Sequence, residues 1–195
     1  MADKKLIRDD RVQHEPHPVG QYAAVCVDCI DLGLTVEQFG QNPPQIKDKV
    51  VLVFRTDAAR GGKPLHIAQT FTASMDPKAN LRKFLEAWRG RPYTNAEARE
   101  QGISLDALVG MGALLTIAHK ESQSGNTYAF ITSIQQLPAR MAEDLPSLTG
   151  YERAASWEKR KQENAEKVRA FQRHAHDEAE APPADGEDDG EGLPF

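Results

Sequence analysis

The feature that most limits the folds open to this chain is a change of apolar period at residue 76. In DPKANLRKFLEAWRG (76–90), Leu81, Phe84, Leu85 and Trp88 stand at i, i+3, i+4 and i+7, one face of a helix. Asp76 is placed to cap it, Pro77 suits its first turn, and Gly90 stops it. Three strand-like runs come before: 20–34, 49–56 and 65–74, joined by a loop over 35–48 and a Gly61-Gly62 turn over 57–64. Two more follow at 113–119 and 127–137, around a hairpin loop with Gly125 and Asn126, after short helical turns at 94–102 and 104–111. Three strands, a helix and two strands is the order of a five-stranded OB-type barrel with its helix between strands 3 and 4. The expected class is mostly β (α+β). A small antiparallel sheet with one helix packed on it is the competing architecture.

Charge divides the chain further. Residues 1–150 carry 17 basic and 17 acidic side chains, residues 151–173 carry seven and four, and residues 174–195 carry eight acids with no Lys or Arg. The expected organisation is a flexible arm over 1–19, the OB domain over 20–140, and a linker with a charged helix over 141–181. A disordered acidic tail follows over 182–195. The helix has a thin apolar stripe, with Tyr151 and Trp157 placed to dock its start; self-association through it stays open. No apolar run is long enough to span a membrane, and the N-terminus lacks the apolar segment of a secretory signal, so a cytoplasmic protein is expected.

A barrel of this type binds oligonucleotides across strands 2 and 3 and between its hairpin loops. Lys47, Lys49, Arg55, Arg60, Lys63 and Lys120 lie in those regions. Alternation in strand 2 puts Val50, Leu52 and Phe54 in the core and Lys49, Val51, Val53 and Arg55 on the opposite, exposed face, which His66, Ala68 and Thr70 would extend. Stacking on single-stranded bases needs exposed rings. Phe39 in its polar loop and Tyr93, clustered with Arg89 and Arg91, are the candidates. Tyr22, Phe54, Phe71, Trp88, Tyr128 and Phe130 are assigned to the core. The plainer reading of each isolated Lys or Arg is a solvated side chain.

His14, His17, Cys26 and Cys29 give an H-x2-H-x8-C-x2-C spacing that suggests zinc. In a regular strand, however, Cys26 and Cys29 point to opposite faces, so buried structural thiols and no metal are expected. Asp28 and Asp31 read as a solvated acid pair. No nucleotide-binding, zinc-protease or serine-hydrolase motif occurs. The chain is therefore expected to be no enzyme and to need no cofactor.

The last residues, DDGEGLPF, end acidic residues on an apolar-Pro-Phe tip. In Asp188, Asp189, Leu193, Pro194 and Phe195 they resemble the tail of bacterial single-stranded DNA-binding proteins, although Gly190, Glu191 and Gly192 separate acids from tip. The stretches GQYAAVCVDCIDLG, LEAWRGRPYT and SLDALVGMGALLTIAH are similar to phage-encoded OB-fold replication proteins over roughly residues 18–138. The resemblance implies binding of single-stranded DNA without sequence specificity, in replication or recombination. It also implies recruitment of replication or recombination proteins by the tail tip, in a bacterial host cell. Eight acids on a leash could also occupy a basic groove until DNA displaces them. An adaptor that binds no DNA and only presents the tail is the rival.

Overall fold

Five strands form the framework of the computed structural model, which describes residues 15–122 and 125–180. They are β1 (Gly20–Glu37), β2 (Gln45–Arg60), β3 (Lys63–Thr72), β4 (Gly112–Glu121) and β5 (Thr127–Gln136). Helix α1 (Asn80–Arg89) falls between β3 and β4, and α2 (Ala155–Glu180) follows β5. The strands form one antiparallel sheet in the order β3-β2-β1-β4-β5. The class is therefore mostly β, with α+β content. Edge strands β3 and β5 approach within 8 Å between Cα atoms, and α1 packs against both. No hydrogen-bonded ladder joins these edges among the described residues, so the sheet is not closed.

The expected helical face is the one buried. Leu81, Leu85 and Trp88 pack with Phe54, Ile67, Phe71, Leu115, Ile117, Ile131 and Ile134 into the main core. Each such side chain contributes roughly 1.5–3 kcal/mol through burial. Trp88 satisfies its indole N–H on the Gly112 carbonyl at 2.9 Å. Gly90 ends α1 at φ 71°, and a Cβ there would stand 3.0 Å from the Gln136 side chain.

Several local expectations need correction. Helix α1 begins at Asn80 rather than Pro77, with Ala79 at the cap position and no side-chain cap. Asp76 instead turns the chain beforehand, its carboxylate accepting from Lys78 N–H at 2.8 Å. The loop expected over 35–48 is half sheet and shrinks to 38–44, because Thr35, Val36 and Glu37 pair with Lys47, Ile46 and Gln45. Strands β2 and β3 likewise run right up to Gly61-Gly62, whose φ values of 58° and 76° suit a tight two-residue hairpin turn. Residues 104–111 form only a short turn, Asp106–Leu108.

The largest departure is on the other side of the sheet. Val25, Val27, Ile30, Leu32, Val51 and Val53 form a second buried cluster, against which Leu145, Tyr151 and Trp157 pack. The segment after β5 thus folds back over the outer faces of β1 and β2. Helix α2 runs along β1 and buries Val168. Polar contacts hold it there. Asp28 accepts from Tyr151 Oη at 3.0 Å and from Arg153 Nε at 2.7 Å, and Lys161 Nζ lies 2.9 Å from Asp31. The acid pair expected to be solvated is the docking point of the C-terminal segment.

A bulge explains how Asp28 reaches that face. Cys26 pairs with Phe54 and Asp28 with Val53, which leaves Val27 as the extra residue. The bulge flips the alternation, so Cys26 and Cys29 share the inner face with Sγ atoms 3.8 Å apart. The expectation that they face oppositely therefore fails. Both thiols are free, and no group of three metal-ligating side chains occurs among the described residues. His14 lies outside them. His17 is buried and shares a 2.7 Å hydrogen bond with Thr56 Oγ1.

No described helix is long and apolar enough to cross a membrane.

Candidate nucleic-acid interface

Strand β2 decides where an interface can be. Its run KVVLVFRT has no polar alternation, and residues 49–56 are buried on both sides. Lys49 and Arg55, expected on an open face, are 9% and 4% exposed. Burial of two cations requires partners. Lys49 Nζ lies 2.7 Å from Glu37 and donates to Thr72 Oγ1 at 3.1 Å. Arg55 Nη1 donates to the Ser147 and Thr149 carbonyls, and its Nε to His66 Nε2 at 3.2 Å. Arg55 is thus a clamp on the segment that covers the face.

Next to the cover, the outer row of β3 remains open. His66, Ala68 and Thr70 are exposed, as expected. A cleft of about 440 Å³ lies between this row and the covering segment, lined by Val53, His66, Ala68, Tyr151 and Trp157 among others. The His66 and Tyr151 rings are 5.5 Å apart. Burial and then the nearby Arg55 charge lower the His66 pKa, which keeps the ring neutral.

The other basic candidates divide. Arg60 donates to the Glu15 and Pro16 carbonyls at 2.7 and 2.9 Å, holding down residues that were assigned to a flexible arm. Lys63 and Lys120 are exposed. Phe39 is 73% exposed, as its polar loop implied, and Lys47 Nζ stands 6.0 Å from its ring centre. These two residues form an aromatic-cationic pair at the tip of the β1–β2 hairpin.

The cluster at the end of α1 is assembled, but not as an open platform. Tyr93 is half-buried against the main core, and the Arg89 guanidinium covers its ring at 3.9 Å. Arg82, buried beneath, donates to Glu86 and to the Tyr93 carbonyl at 2.8 Å each, which fixes this turn. Glu97 neutralises the cations, with Arg89 at 2.8 Å and Arg91 at 3.2 Å. The Thr94 N–H and then Arg89 pull the Glu97 carboxyl down to about 2. Of the three candidates, only Arg91 projects well into solvent, at 65% side-chain exposure.

A surface that was not expected lies on β4 and β5. Tyr128, assigned to the core, is 43% exposed, and its ring centre lies 6.4 Å from that of half-buried Phe130. Lys120 is paired directly across from Tyr128, and Ala118 across from Phe130. The residues were legible as strand aromatics; what went unread was that no element among the described residues covers their face. Asp188, Asp189, Leu193, Pro194 and Phe195, the expected partner-docking tip, lie outside the described residues.

No protein-family model matches the chain, and no curated protein matches it.

Proposed function

We propose that the protein binds single-stranded DNA without sequence specificity and serves DNA replication or recombination as a non-enzymatic component. The observation that carries this reading is connectivity. Strand order β3-β2-β1-β4-β5, with α1 inserted between β3 and β4 and packed against both edge strands, agrees with the order of an OB-type barrel, in which β3 would meet β5, although no ladder joins them among the described residues. Two aromatic-lysine pairs with exposed rings, Phe39 with Lys47 and Tyr128 with Lys120, supply the means of holding unstacked bases. The phage and bacterial resemblances of the sequence point the same way, with the Leu193–Phe195 tip recruiting a replication or recombination enzyme.

The body carries equal numbers of acids and bases through residue 150. Stacking must then supply more of the affinity than phosphate neutralisation, so affinity should fall only shallowly with salt. The test is anisotropy of a labelled oligo-dT titrated with the full chain at two salt concentrations, with a duplex control. Preference for the single strand supports the reading; absence of binding at both salts removes it.

The adaptor reading has its own supporting observation. Covering of β2 takes Lys49 and Arg55 out of reach of any nucleic acid. If the oligonucleotide does not bind, the sheet is a platform that presents the tail.

A further inference from the structure

We infer that the C-terminal segment is more than a cover: with β3 it forms a slot that takes a base of single-stranded nucleic acid. This inference rests on the proposed DNA-binding function and names a site within it.

The cleft between β3 and residues 150–157 has the makings of a base site. At about 440 Å³ it lies within the range of small-ligand sites. Its lining is aromatic: the His66 and Tyr151 rings, 5.5 Å apart and tilted by 46°, lie against each other, so a base stacks on their open side rather than between them, and Trp157 lines the cleft as well. Val53 and Ala68 give it an apolar floor. A flat heteroaromatic ring is the ligand such walls suit, because every base has a π-face to stack.

One hydrogen-bonding group sets polarity within the slot. Arg55 can only donate, so His66 Nε2 must accept its 3.2 Å hydrogen bond. The neutral ring then carries its proton on Nδ1, and among the described residues no group pairs with that N–H. It is a donor suited to a base carbonyl or ring nitrogen. Burial and then Arg55 lower the His66 pKa, which favours the neutral ring, and the hydrogen bond from Arg55 selects its tautomer. Tyr151 contributes its ring alone, since its hydroxyl is engaged by Asp28 at 3.0 Å.

Two charges of opposite sign stand near the slot, Glu152 in its lining and Arg160 beside Trp157. Arg160 stands 5.7 Å from the Trp157 ring centre, on the helix turn after it, where a backbone phosphate would meet it. Glu152 also lines the cleft. It repels phosphate, which confines a strand's backbone to the Arg160 side.

The same contacts explain why the buried clamp matters to binding. Arg55 fixes residues 147–149 and orients His66 at once. One guanidinium thus holds His66 and the residues just before Tyr151, whose own hydroxyl is held by Asp28.

The test uses the full-length protein, an oligo-dT probe, and two signals read together. Trp88 is 2% exposed in the core, so emission changes on binding report mainly on Trp157. The inference expects Trp157 quenching that saturates with the anisotropy signal and vanishes in Trp157→Phe, which keeps a stacking ring. His66→Ala and Trp157→Ala should each weaken binding about 5- to 150-fold, the span for loss of one stacked base. Because Trp157→Ala also removes packing, far-UV dichroism and thermal melts check its fold. His66→Ala, on an exposed strand row, carries the test if that fold is lost. Oligonucleotide binding without Trp157 quenching, and with His66→Ala at wild-type affinity, overturns the slot while leaving the DNA-binding function standing. Absence of any anisotropy change removes both.

Discussion

The two halves of the sheet treat their outer faces differently. On β1 and β2 the outer residues are Val25, Val27, Ile30, Leu32, Val51 and Val53, and a folded-back segment buries them. On β4 and β5 the outer residues include Thr116, Ala118, Lys120, Tyr128 and Phe130, and none of these is fully buried. The contrast is written in the alternation. Strand β2 reads as a continuous apolar run, the signature of a strand covered on both sides. Strand β4 alternates buried and half-buried residues from Ala113 to Ala118, as a strand with one open face does. An interface for a partner therefore belongs where alternation survives, or at the margin of the cover. It does not belong under the cover.

Charge substitution should separate the two faces most sharply. Val51 is fully buried, and Val51→Asp places an unpaired carboxylate in the cluster beneath the covering segment. We expect a loss of about 4 kcal/mol or more, or failure to fold. Ser133→Asp, on exposed β5, should change stability by no more than about 0.5 kcal/mol. Urea unfolding of both variants measures the difference. Equal small effects would mean that the covering segment is not docked in solution.

The next effect concerns the docking acids. Burial alone would raise the Asp28 pKa, but hydrogen bonds from Arg153 and Tyr151 outweigh it and hold the carboxyl below its ordinary value. Lys161, then the Gly33 N–H, do the same for Asp31. Both groups have depressed folded-state values, so both stabilise fully above the unfolded value of about 3.9. That contribution is lost as pH falls through the folded values. Asp28→Ala should cost about 2 kcal/mol at neutral pH by stranding the Tyr151 hydroxyl. The Arg153 pairing adds little, since that side chain is 52% exposed. Asp28→Asn should also flatten the stability loss below about pH 4, as thermal melts across pH would read. An unchanged acid limb would place the pH-sensitive docking elsewhere.

On the open face the effect is on binding. Tyr128→Ala should weaken oligo-dT binding by about 1 kcal/mol, roughly fivefold, while stability barely moves. Unchanged anisotropy would assign the DNA to the β3 margin alone.

How far the sequence carried this can be seen residue by residue. Leu81, Leu85 and Trp88 announced their helix and its buried face, and the element order announced the sheet. Phe39 was legible because a large ring in a polar loop has no core to join. Lys49 and Arg55 were misjudged because alternation was applied to a run that does not alternate. Their partners, Glu37 and the carbonyls of Ser147 and Thr149, come from outside β2, and for Arg55 they lie more than 90 residues away. The Cys26–Cys29 pairing was hidden by one inserted residue, Val27, which no periodicity reveals. Tyr93 looked exposed because its neighbours are basic, yet Arg89 is the group that covers it.

The smallest expected effect concerns Arg91, which stands apart from both faces and so calibrates them. Its side chain is 65% exposed and it shares Glu97 with Arg89. Arg91→Ala leaves Glu97 with Arg89 and with the Thr94 N–H, the leading cause of its low pKa. Stability should therefore change by less than about 0.5 kcal/mol, as for exposed ion pairs generally. If DNA follows the open β4–β5 face or the β3 slot, oligo-dT affinity should also stay within about twofold at moderate salt. A fall of tenfold or more, with the melt unchanged, would move the interface to the end of α1. It would mean that Glu97 holds Arg89 and Arg91 in position for phosphate rather than neutralising them.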